Sequence, residues 1–249
     1  MSDIQILNAE EQDIVRKSGK LLRATLNLMK QEAKAGMTTE ELDTIAEEFI
    51  LSHDGALPAF KGYHGYPATL CTSINEQCVH GLPSDRVIKE GDIVSIDCGV
   101  LMGGLYTDAC ITVPIGTISK QAIHLLAVTE KALDLAIATI KEGTQTGTIS
   151  ATIQEYVESE GFKSVRSLTG HGLGTGLHQY PDIPNTGKKH TGPELPLGAL
   201  IAVEPIVSAG ADDIKEDKDN WTLSITDGGL SAHFEHSMLV TTDGVEIIA

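Results

Sequence analysis

The sequence is poor in basic residues. Lys and Arg number 18 against 35 Asp and Glu, which gives a formal net charge of −17 at pH 7. Proteins that clamp nucleic acid neutralise phosphates with clustered Lys and Arg, so direct nucleic-acid binding is not expected. The excess of carboxylates fits a soluble protein, a cation-binding protein, or both.

Long apolar runs and paired cysteines are also missing. No stretch approaches the roughly 20 apolar residues that a membrane span needs, and the acidic start of the chain is unlike a signal peptide. The cysteines form no CxxC pair and lie in apolar segments, at Cys71, Cys78, Cys98 and Cys110. We therefore expect reduced, strand-borne cysteines in a cytoplasmic protein with no membrane partner.

Four stretches have the apolar spacing of amphipathic helices. They are residues 9–34, residues 39–53, residues 119–141 and the stretch from Ile149 to Val157. Thr38 and Glu41 form a capping-box pattern before the second helix. A long helix followed by a shorter one therefore occurs twice, each time before strand-like segments. This repetition predicts an internal duplication, 1–115 and 116–249, within one α+β domain that has a cleft between its halves.

Several segments have the composition of strands. They are Asp92–Asp97, Leu105–Val113, Ala199–Val207, Trp221–Thr226 and His233–Thr241. The turn Met102-Gly103-Gly104 predicts a hairpin between the first two, and Asp227-Gly228-Gly229 predicts a hairpin between the last two. The charged run 211–220 is expected to be a solvated loop.

Four of these strand-like segments contain an isolated carboxylate. They are Asp97, Asp108, Glu204 and Glu235, and His171 follows a glycine in a further segment. Charged side chains are almost never fully buried unless they are paired or bind a metal. The pattern favours a metal site, and solvated strand faces are the alternative.

The donor types restrict the metal. Carboxylates and one imidazole suit Mn²⁺, Fe²⁺, Co²⁺ or a mixed Zn²⁺ site, and they are poor ligands for Cu(I). Four carboxylates exceed what one divalent ion needs, whereas two ions that share bridging carboxylates would balance the charge. Paired metals about 3.5–4 Å apart are a recurrent arrangement for hydrolysis.

A glycine-rich stretch, Gly170-His171-Gly172-Leu173-Gly174-Thr175-Gly176-Leu177-His178, admits three interpretations. A phosphate cradle is disfavoured because no lysine and no helix follow. A flexible strand or bulge is the simplest interpretation. The functional alternative is that His171 ligates a metal, the glycines leave room for a substrate backbone, and His178 donates a hydrogen bond to the substrate.

Beyond these patterns, the chain resembles type I methionine aminopeptidase from about residue 5 to its end. The resemblance is carried by Asp97, Asp108, the Gly170–His178 stretch, Val203-Glu204-Pro205, Phe234-Glu235-His236-Ser237, Gly62–Pro67 and Cys71–Pro83. It implies an α+β pita-bread fold with pseudo-twofold symmetry around a central antiparallel sheet. It also implies an enzyme that removes the initiator methionine when the second residue is small.

The resemblance implies a role for each candidate ligand. Asp97 would bind one metal through both oxygens, and Asp108 and Glu235 would bridge two ions. His171 and Glu204 would complete the other metal site. Glu204 would also manage the proton of the attacking water. The cofactors would be two divalent ions drawn from Co, Mn, Fe and Zn.

The resemblance also implies substrate contacts. His80 would lie near the substrate amine or leaving group, and His178 would hydrogen-bond the scissile carbonyl as it becomes an oxyanion. The pocket for the methionine side chain, or its rim, would be lined by Tyr63, His64, Tyr66 and Trp221. Ordinary core packing is the alternative for the tyrosines and the tryptophan.

Three residues depart from the usual family pattern, namely Phe60, Leu177 and Gln179. These substitutions alter the expected shape and local charge of the side-chain pocket. They do not alter the expected metal ligands. The implied partners are the N-termini of nascent chains, with possible transient ribosome association, and the implied state is a monomer.

Two rival functions remain at this point. An Xaa-Pro aminopeptidase or prolidase would share the fold and ligands but usually carries an additional N-terminal domain, and Asp97 comes too early for one. A non-catalytic binding relative would typically have lost metal ligands, all of which are present here.

Overall fold

The computed structural model describes residues 3–249 and contains four long helices. The helices are α1 (Ala9–Glu32), α2 (Thr39–Leu51), α3 (Lys120–Ile137) and α4 (Thr146–Ser159). A short 3₁₀ turn covers Tyr63–Gly65. The four predicted helices are thus confirmed. The first three end two to four residues before their predicted ends, and the fourth extends beyond Ile149 and Val157 on both sides.

Local capping fixes where the first two helices begin. Asn8 and Glu11 form a capping box at α1, and Thr38 and Glu41 form the predicted one at α2. In each box the cap side chain accepts a backbone N–H of the first turn, and the glutamate accepts the N–H of the cap residue. These contacts depend only on residues three apart, so the sequence sufficed to predict the second one.

Within residues 3–249, fifteen strands make up the rest of the regular structure. The strands before α3 are β1 (Ala56–Pro58), β2 (Leu70–Ile74), β3 (Gln77–Val79), β4 (Ile93–Met102) and β5 (Leu105–Pro114). Those after α4 are β6 (Lys163–Ser164), β7 (Thr169–Leu173), β8 (Gln179–Pro184), β9 (Leu200–Val203), β10 (Ile206–Ser208), β11 (Ile214–Glu216), β12 (Leu223–Ile225), β13 (Ser231–His233), β14 (His236–Val240) and β15 (Val245–Ile247).

All strand pairs are antiparallel. Strand β4 pairs with β1, β2 and β5, and a five-stranded sheet has the order β15-β14-β9-β7-β8. Two three-stranded sheets have the orders β13-β10-β6 and β11-β12-β3. The last sheet joins a strand from before α3 to strands near the end of the chain, so it ties the two parts of the chain together.

The helices cover these sheets with apolar faces. Helices α1 and α2 bury Leu22, Met29 and Ile50 against the sheet around β4. Helix α3 packs on β9, β10 and β13 and helix α4 packs on β6 and β8, and together they bury a second apolar cluster. A third cluster draws on both parts of the chain and includes Leu7 and Leu200. The division into repeats 1–115 and 116–249 stays a prediction.

The first predicted hairpin is confirmed. Strands β4 and β5 are joined by Gly103 and Gly104, which have φ values of 58° and 80°. Two positive φ angles are what a type I′ turn requires, and glycine adopts them without strain. The first strand runs on to Met102, which was predicted to belong to the turn.

The predicted single strand Ala199–Val207 is wrong. The structure divides it into β9 and β10, which belong to different sheets, and Glu204 and Pro205 lie between them. Pro205 has no N–H to donate to a strand ladder, so the pairing is interrupted at this point.

The predicted hairpin between 221–226 and 233–241 is also wrong. Strand β12 pairs with β3 on one side and with β11 on the other, so both its edges are taken. The second segment divides into β13 and β14, which pair with β10 and β9. The charged run 211–220 is largely exposed, as expected, but it contains β11 and is not a loop throughout.

The four cysteines lie on β2, β3, β4 and β5 as free, buried thiols, so the strand-borne prediction is confirmed. Within residues 3–249, no helix combines the length and apolar character that crossing a bilayer needs.

Candidate metal centre and adjoining pocket

Asp97 and Asp108 are carried by the two strands of the central hairpin. Asp97 on β4 lies opposite Cys110 on β5, and Asp108 lies opposite Gly99. The backbone of Asp108 is held by Ser237, whose hydroxyl accepts the Asp108 N–H at 2.8 Å and donates to the Asp108 carbonyl at 2.6 Å. The hairpin and β14 therefore fix the positions of both carboxylates before any ligand binds.

Glu204 and Glu235 lie at the interruptions between β9 and β10 and between β13 and β14. Val203 pairs with His236 before the interruption and Ile206 pairs with His233 after it. Because the register is the same on both sides, Glu204 and Glu235 oppose each other inside the gap.

One isolated β-bridge brings the hairpin that carries Asp97 and Asp108 next to Glu235. Cys110 exchanges backbone hydrogen bonds with Glu235, and on its other side it pairs with Asp97. His171 on β7 pairs with Ala202 on β9, which places its imidazole beside Glu204, with Nε2 3.5 Å from Oε1. The five residues that the sequence singled out as ligands are thus brought to one place.

Two groups of donor atoms lie close enough to share a cation. Asp97, Asp108 and Glu235 form one group, and His171, Glu204 and Glu235 form the other, each with its donor atoms within 4.8 Å of one another. Glu235 belongs to both groups. A further group joins Asp108 and His171 to His178.

Burial and mutual repulsion make three of these carboxylates hard to ionise. Burial raises the pKa of Asp97 to about 6, and burial together with the charge of Asp97 raises the pKa of Asp108 well above its usual range. Burial and the charge of Asp108 do the same to the pKa of Glu235. Burial also acts to raise the pKa of Glu204, but the imidazoles of His233 and His171 outweigh it and hold that pKa below its ordinary value.

The residues present fit divalent cations. Asp97 Oδ1, Asp108 Oδ1 and Glu235 Oε1 are buried and have no hydrogen-bond partner. Buried polar atoms are rarely left unpaired, and carboxylate oxygens that face one another are stabilised by a bound cation or by a proton. The hard oxygen donors with one imidazole suit first-row divalent metals.

A cavity of about 170 Å³ adjoins this cluster. It is lined by Phe60, Tyr63, His64, Tyr66, Cys71, His80, Asp97, Asp108, Leu177, His178 and Trp221. Pockets for small molecules usually measure roughly 300–1,000 Å³, so this smaller, largely apolar cavity suits a single side chain. All four residues predicted to line a side-chain pocket are among its walls, as are Phe60 and Leu177.

The aromatic wall is held by specific contacts. Tyr66 is buried, donates its hydroxyl to the Leu70 carbonyl at 2.8 Å, and meets Trp221 edge-on with ring centroids 5.1 Å apart. Both residues also pack into the third apolar cluster. These two side chains therefore pack in the core and also line the cavity.

The histidines at the mouth of the cavity are more exposed. The His178 ring lies 4.4 Å from that of His171 between centroids, and its Nδ1 is 3.3 Å from the Tyr63 hydroxyl. His64 and His80 are exposed and have positive φ angles of 48° and 56°. Such angles are uncommon outside glycine and often mark functional positions. Gln179 follows His178 as the first residue of β8.

The glycines around His171 serve the fold of the chain itself. A Cβ atom on Gly170 would meet the Ala202 carbonyl, and one on Gly172 would meet the Tyr180 carbonyl. The space that was expected to admit a substrate backbone at these two positions is filled by neighbouring strands. That expectation is corrected, because β7 is a central strand with a partner on each side.

Sequence reasoning missed three residues that shape the site. His233 is buried beside Glu204, Ser237 holds the backbone of Asp108, and Cys71 lines the cavity next to Asp97. His233 lies two residues before Glu235, a spacing that places both side chains on one face of an extended chain. That spacing was the available signal for His233, whereas Ser237 and Cys71 act through long-range contacts.

Comparisons with known proteins agree with this geometry. The sequence profile of metallopeptidase family M24 matches residues 13–242. The chain belongs to this family. Its M24 relatives include the methionine aminopeptidase of Clostridium perfringens, which is 45% identical over 98% of this chain and 98% of its own length.

Solved structures place this M24 chain among the methionine aminopeptidases. The methionine aminopeptidase of Thermotoga maritima superimposes with a TM-score of 0.97 at 41% identity and covers 99% of both chains. The prolidase of Pyrococcus furiosus has a TM-score of 0.81 at 20% identity and covers 98% of this chain but 64% of its own, so it shares the fold alone. The fold is the α+β pita-bread fold of the family, and membership of a metallopeptidase family implies divalent metal ions.

Proposed function

We propose that this protein is a methionine aminopeptidase that removes the N-terminal initiator methionine when the second residue is small. The observation that carries the proposal is the position of an apolar cavity for one side chain directly beside the cluster of five metal-ligating side chains. The high identity to methionine aminopeptidases over nearly the whole chain supports the same conclusion.

We propose that two divalent ions occupy the cluster and that they are drawn from Co, Mn, Fe and Zn. Asp97 would bind one ion, His171 and Glu204 the other, and Asp108 and Glu235 would bridge them. The membership of Glu235 in both donor groups supports bridging. Divalent cations in such a donor set activate water for attack and polarise a scissile carbonyl.

The remaining roles fall to side chains around the cluster. Glu204, whose lowered pKa keeps it ionised, would accept a proton from the attacking water and deliver it to the leaving amine. His178, at the mouth between Tyr63 and His171, would donate a hydrogen bond to the carbonyl oxygen as negative charge develops there. His80 would lie near the substrate amine.

Tyr63, His64, Tyr66 and Trp221 would bind the methionine side chain. A thioether makes favourable contacts with aromatic rings, and these residues supply edges and faces around the cavity. Phe60 and Leu177 complete the apolar wall, so they would contribute to selectivity.

We also propose that the protein acts on nascent chains in the cytoplasm, as a monomer, with transient contact with the ribosome. Four buried cysteines without disulfides suit a reducing compartment. The net charge of −17 disfavours direct binding to RNA, so contact with a ribosome would involve its proteins. Sedimentation of the purified protein, alone and with ribosomes, tests the monomer and the contact.

Hydrolysis of Met-Ala-Ser by metal-stripped protein, titrated with Mn²⁺, Co²⁺, Fe²⁺ or Zn²⁺, tests the activity. Leu-Ala-Ser and Ala-Pro serve as matched substrates in the same assay. Release of methionine that depends on the metal, without cleavage of the other two, is the expected result. Cleavage of Ala-Pro in place of Met-Ala-Ser would identify an Xaa-Pro peptidase. Absence of cleavage with every bound metal would indicate a non-catalytic binding relative.

A further inference from the structure

His233 is a buried imidazole within the site to which neither the sequence nor the family resemblance gave a role. Its side chain is 2% exposed, and its Nε2 atom is buried without a hydrogen bond. That atom lies 3.4 Å from Glu204 Oε2 and 3.6 Å from Glu235 Oε2. We propose that His233 is a positioning residue that holds Glu204 Oε2 and so directs Glu204 Oε1 to the metal site beside His171.

The two oxygens of Glu204 face different imidazoles. Oε1 lies 3.5 Å from His171 Nε2, and Oε2 lies 3.4 Å from His233 Nε2. Carboxylates that ligate metals are commonly hydrogen-bonded through a second group, which sets their orientation. The arrangement gives Glu204 one oxygen for the metal and one for His233.

The chemistry of the partners determines which nitrogen of His233 carries the proton. An ionised carboxylate only accepts hydrogen bonds, so the ring nitrogen that faces it must carry an N–H. With Glu204 Oε2 as its nearest partner, Nε2 is the donor. At 3.4 Å the two atoms lie slightly beyond the usual N–H···O range of about 2.7–3.2 Å.

The backbone of His233 is fixed by β5. Its N–H donates to Thr112 Oγ1 at 2.9 Å, and Thr112 Oγ1 donates to its carbonyl at 2.7 Å. On the other edge His233 pairs with Ile206 of β10. The backbone that carries the donor is therefore held on both sides, and the burial of the side chain leaves the ring little free space.

This inference rests on the proposed function in that Glu204 is taken as a metal ligand, but its test measures metal binding directly. The variants are His233→Leu, which removes the donor, and His233→Gln, whose amide keeps an N–H donor at a similar distance from the backbone. His53→Leu is the matched control, because His53 is exposed, lies outside the site and has no positive φ angle. Each metal-stripped protein is titrated with Mn²⁺ by calorimetry and with Co²⁺ by visible absorption, which reports the coordination of the ion.

We expect His233→Leu to weaken binding of at least one ion by about 10–100-fold and to change the Co²⁺ spectrum. The metal affinity of His233→Gln should stay within about threefold of that of the unsubstituted protein, with the Co²⁺ spectrum retained, and the same is expected of His53→Leu. Binding by His233→Leu as tight as the original, or loss in His233→Gln equal to that in His233→Leu, would overturn the proposal.

Circular dichroism establishes that the variants fold. If His233→Leu does not fold, His233→Asn replaces it, since its shorter amide falls out of reach of Glu204 and is expected to bind weakly. Failure of the proposed function is a separate result. A protein that binds two metals and releases no methionine would refute the activity, while the titrations would still decide the role of His233.

Discussion

Glu204 and Glu235 oppose each other across a gap in an antiparallel ladder that keeps the same register on both sides. Both strands of the ladder are interrupted at the same level, one of them at Pro205. Their carboxylates thereby enter the cluster from two chain segments that are distant in sequence. Backbone pairing thus holds an excess of carboxylates together in the cluster.

Replacing Glu235 with glutamine should stabilise the metal-free protein and abolish its stabilisation by metal. The pKa of Glu235 is raised by burial and by Asp108, so its ionisation at neutral pH opposes folding. We expect the free energy of unfolding of the metal-free protein to rise by about 1–3 kcal/mol, which is the usual penalty for a buried polar group without a partner. That corresponds to a rise in Tm of about 2–4 °C per kcal/mol for a domain of this size.

Thermal unfolding of both proteins, with and without Mn²⁺, provides the measurement. The original protein should be stabilised by Mn²⁺ and the variant should not. A Glu235→Gln variant that is less stable without metal, or equally stabilised by it, would show that repulsion between the carboxylates does not govern this site.

Replacing His178 with alanine should lower kcat by about 10²–10³ while metal binding stays unchanged. The reason is that loss of one donor to a developing oxyanion typically has an effect of this size. Steady-state hydrolysis of Met-Ala-Ser and a metal count on the same sample give the two quantities. An unchanged kcat with altered metal content would assign His178 to metal binding instead.

Replacing Asp43 with asparagine should make the protein progressively more stable than the original as pH rises. Asp43 Oδ1 accepts the N–H groups of Thr69 and Leu70 at 2.9 and 2.7 Å, yet burial dominates and raises the pKa of Asp43. A carboxyl group whose pKa is raised by folding stabilises the folded state below its unfolded pKa of about 3.9, and this contribution is lost as pH rises through the folded pKa. An asparagine oxygen can accept the same two bonds without ionising.

Urea unfolding of both metal-stripped proteins between pH 4 and pH 7 tests this expectation. The difference in unfolding free energy should grow in favour of the asparagine variant over this interval and then level off. The other ionisable groups are common to both proteins and cancel. A reversed difference would mean that the two hydrogen bonds favour the carboxylate form of Asp43, and a constant difference would mean that folding does not shift its pKa.

Replacing Gly172 with alanine should destabilise the protein by about 1–3 kcal/mol. The added Cβ would contact the backbone carbonyl of Tyr180 on β8, which a side-chain movement cannot relieve. Gly244→Ala is the control, because nothing lies within 4 Å of the corresponding Cβ position and its φ angle is not positive. Chemical unfolding of both variants should separate them, and equal midpoints would show that β7 and β8 can move apart.

Much of the local structure was predictable because it depends on short-range patterns. The capping box of Thr38 and Glu41 and the Gly103-Gly104 turn each involve residues within a few positions of one another, and both occur as predicted. The family resemblance identified the fold and the five ligand candidates, since these lie in recognisable motifs. The Asp227-Gly228-Gly229 turn had an equally good local pattern, but it does not form a hairpin.

Local sequence patterns were thus enough to predict the helices, the central hairpin and the residue types of a hard-metal site. The pairing of β12 with β3, the opposition of Glu204 and Glu235 and the position of His233 beside both became apparent only in the folded chain. Strand pairing satisfies backbone groups with partners from any distance along the chain. A local pattern specifies that a segment is extended, but competition among all available strand edges selects its partner.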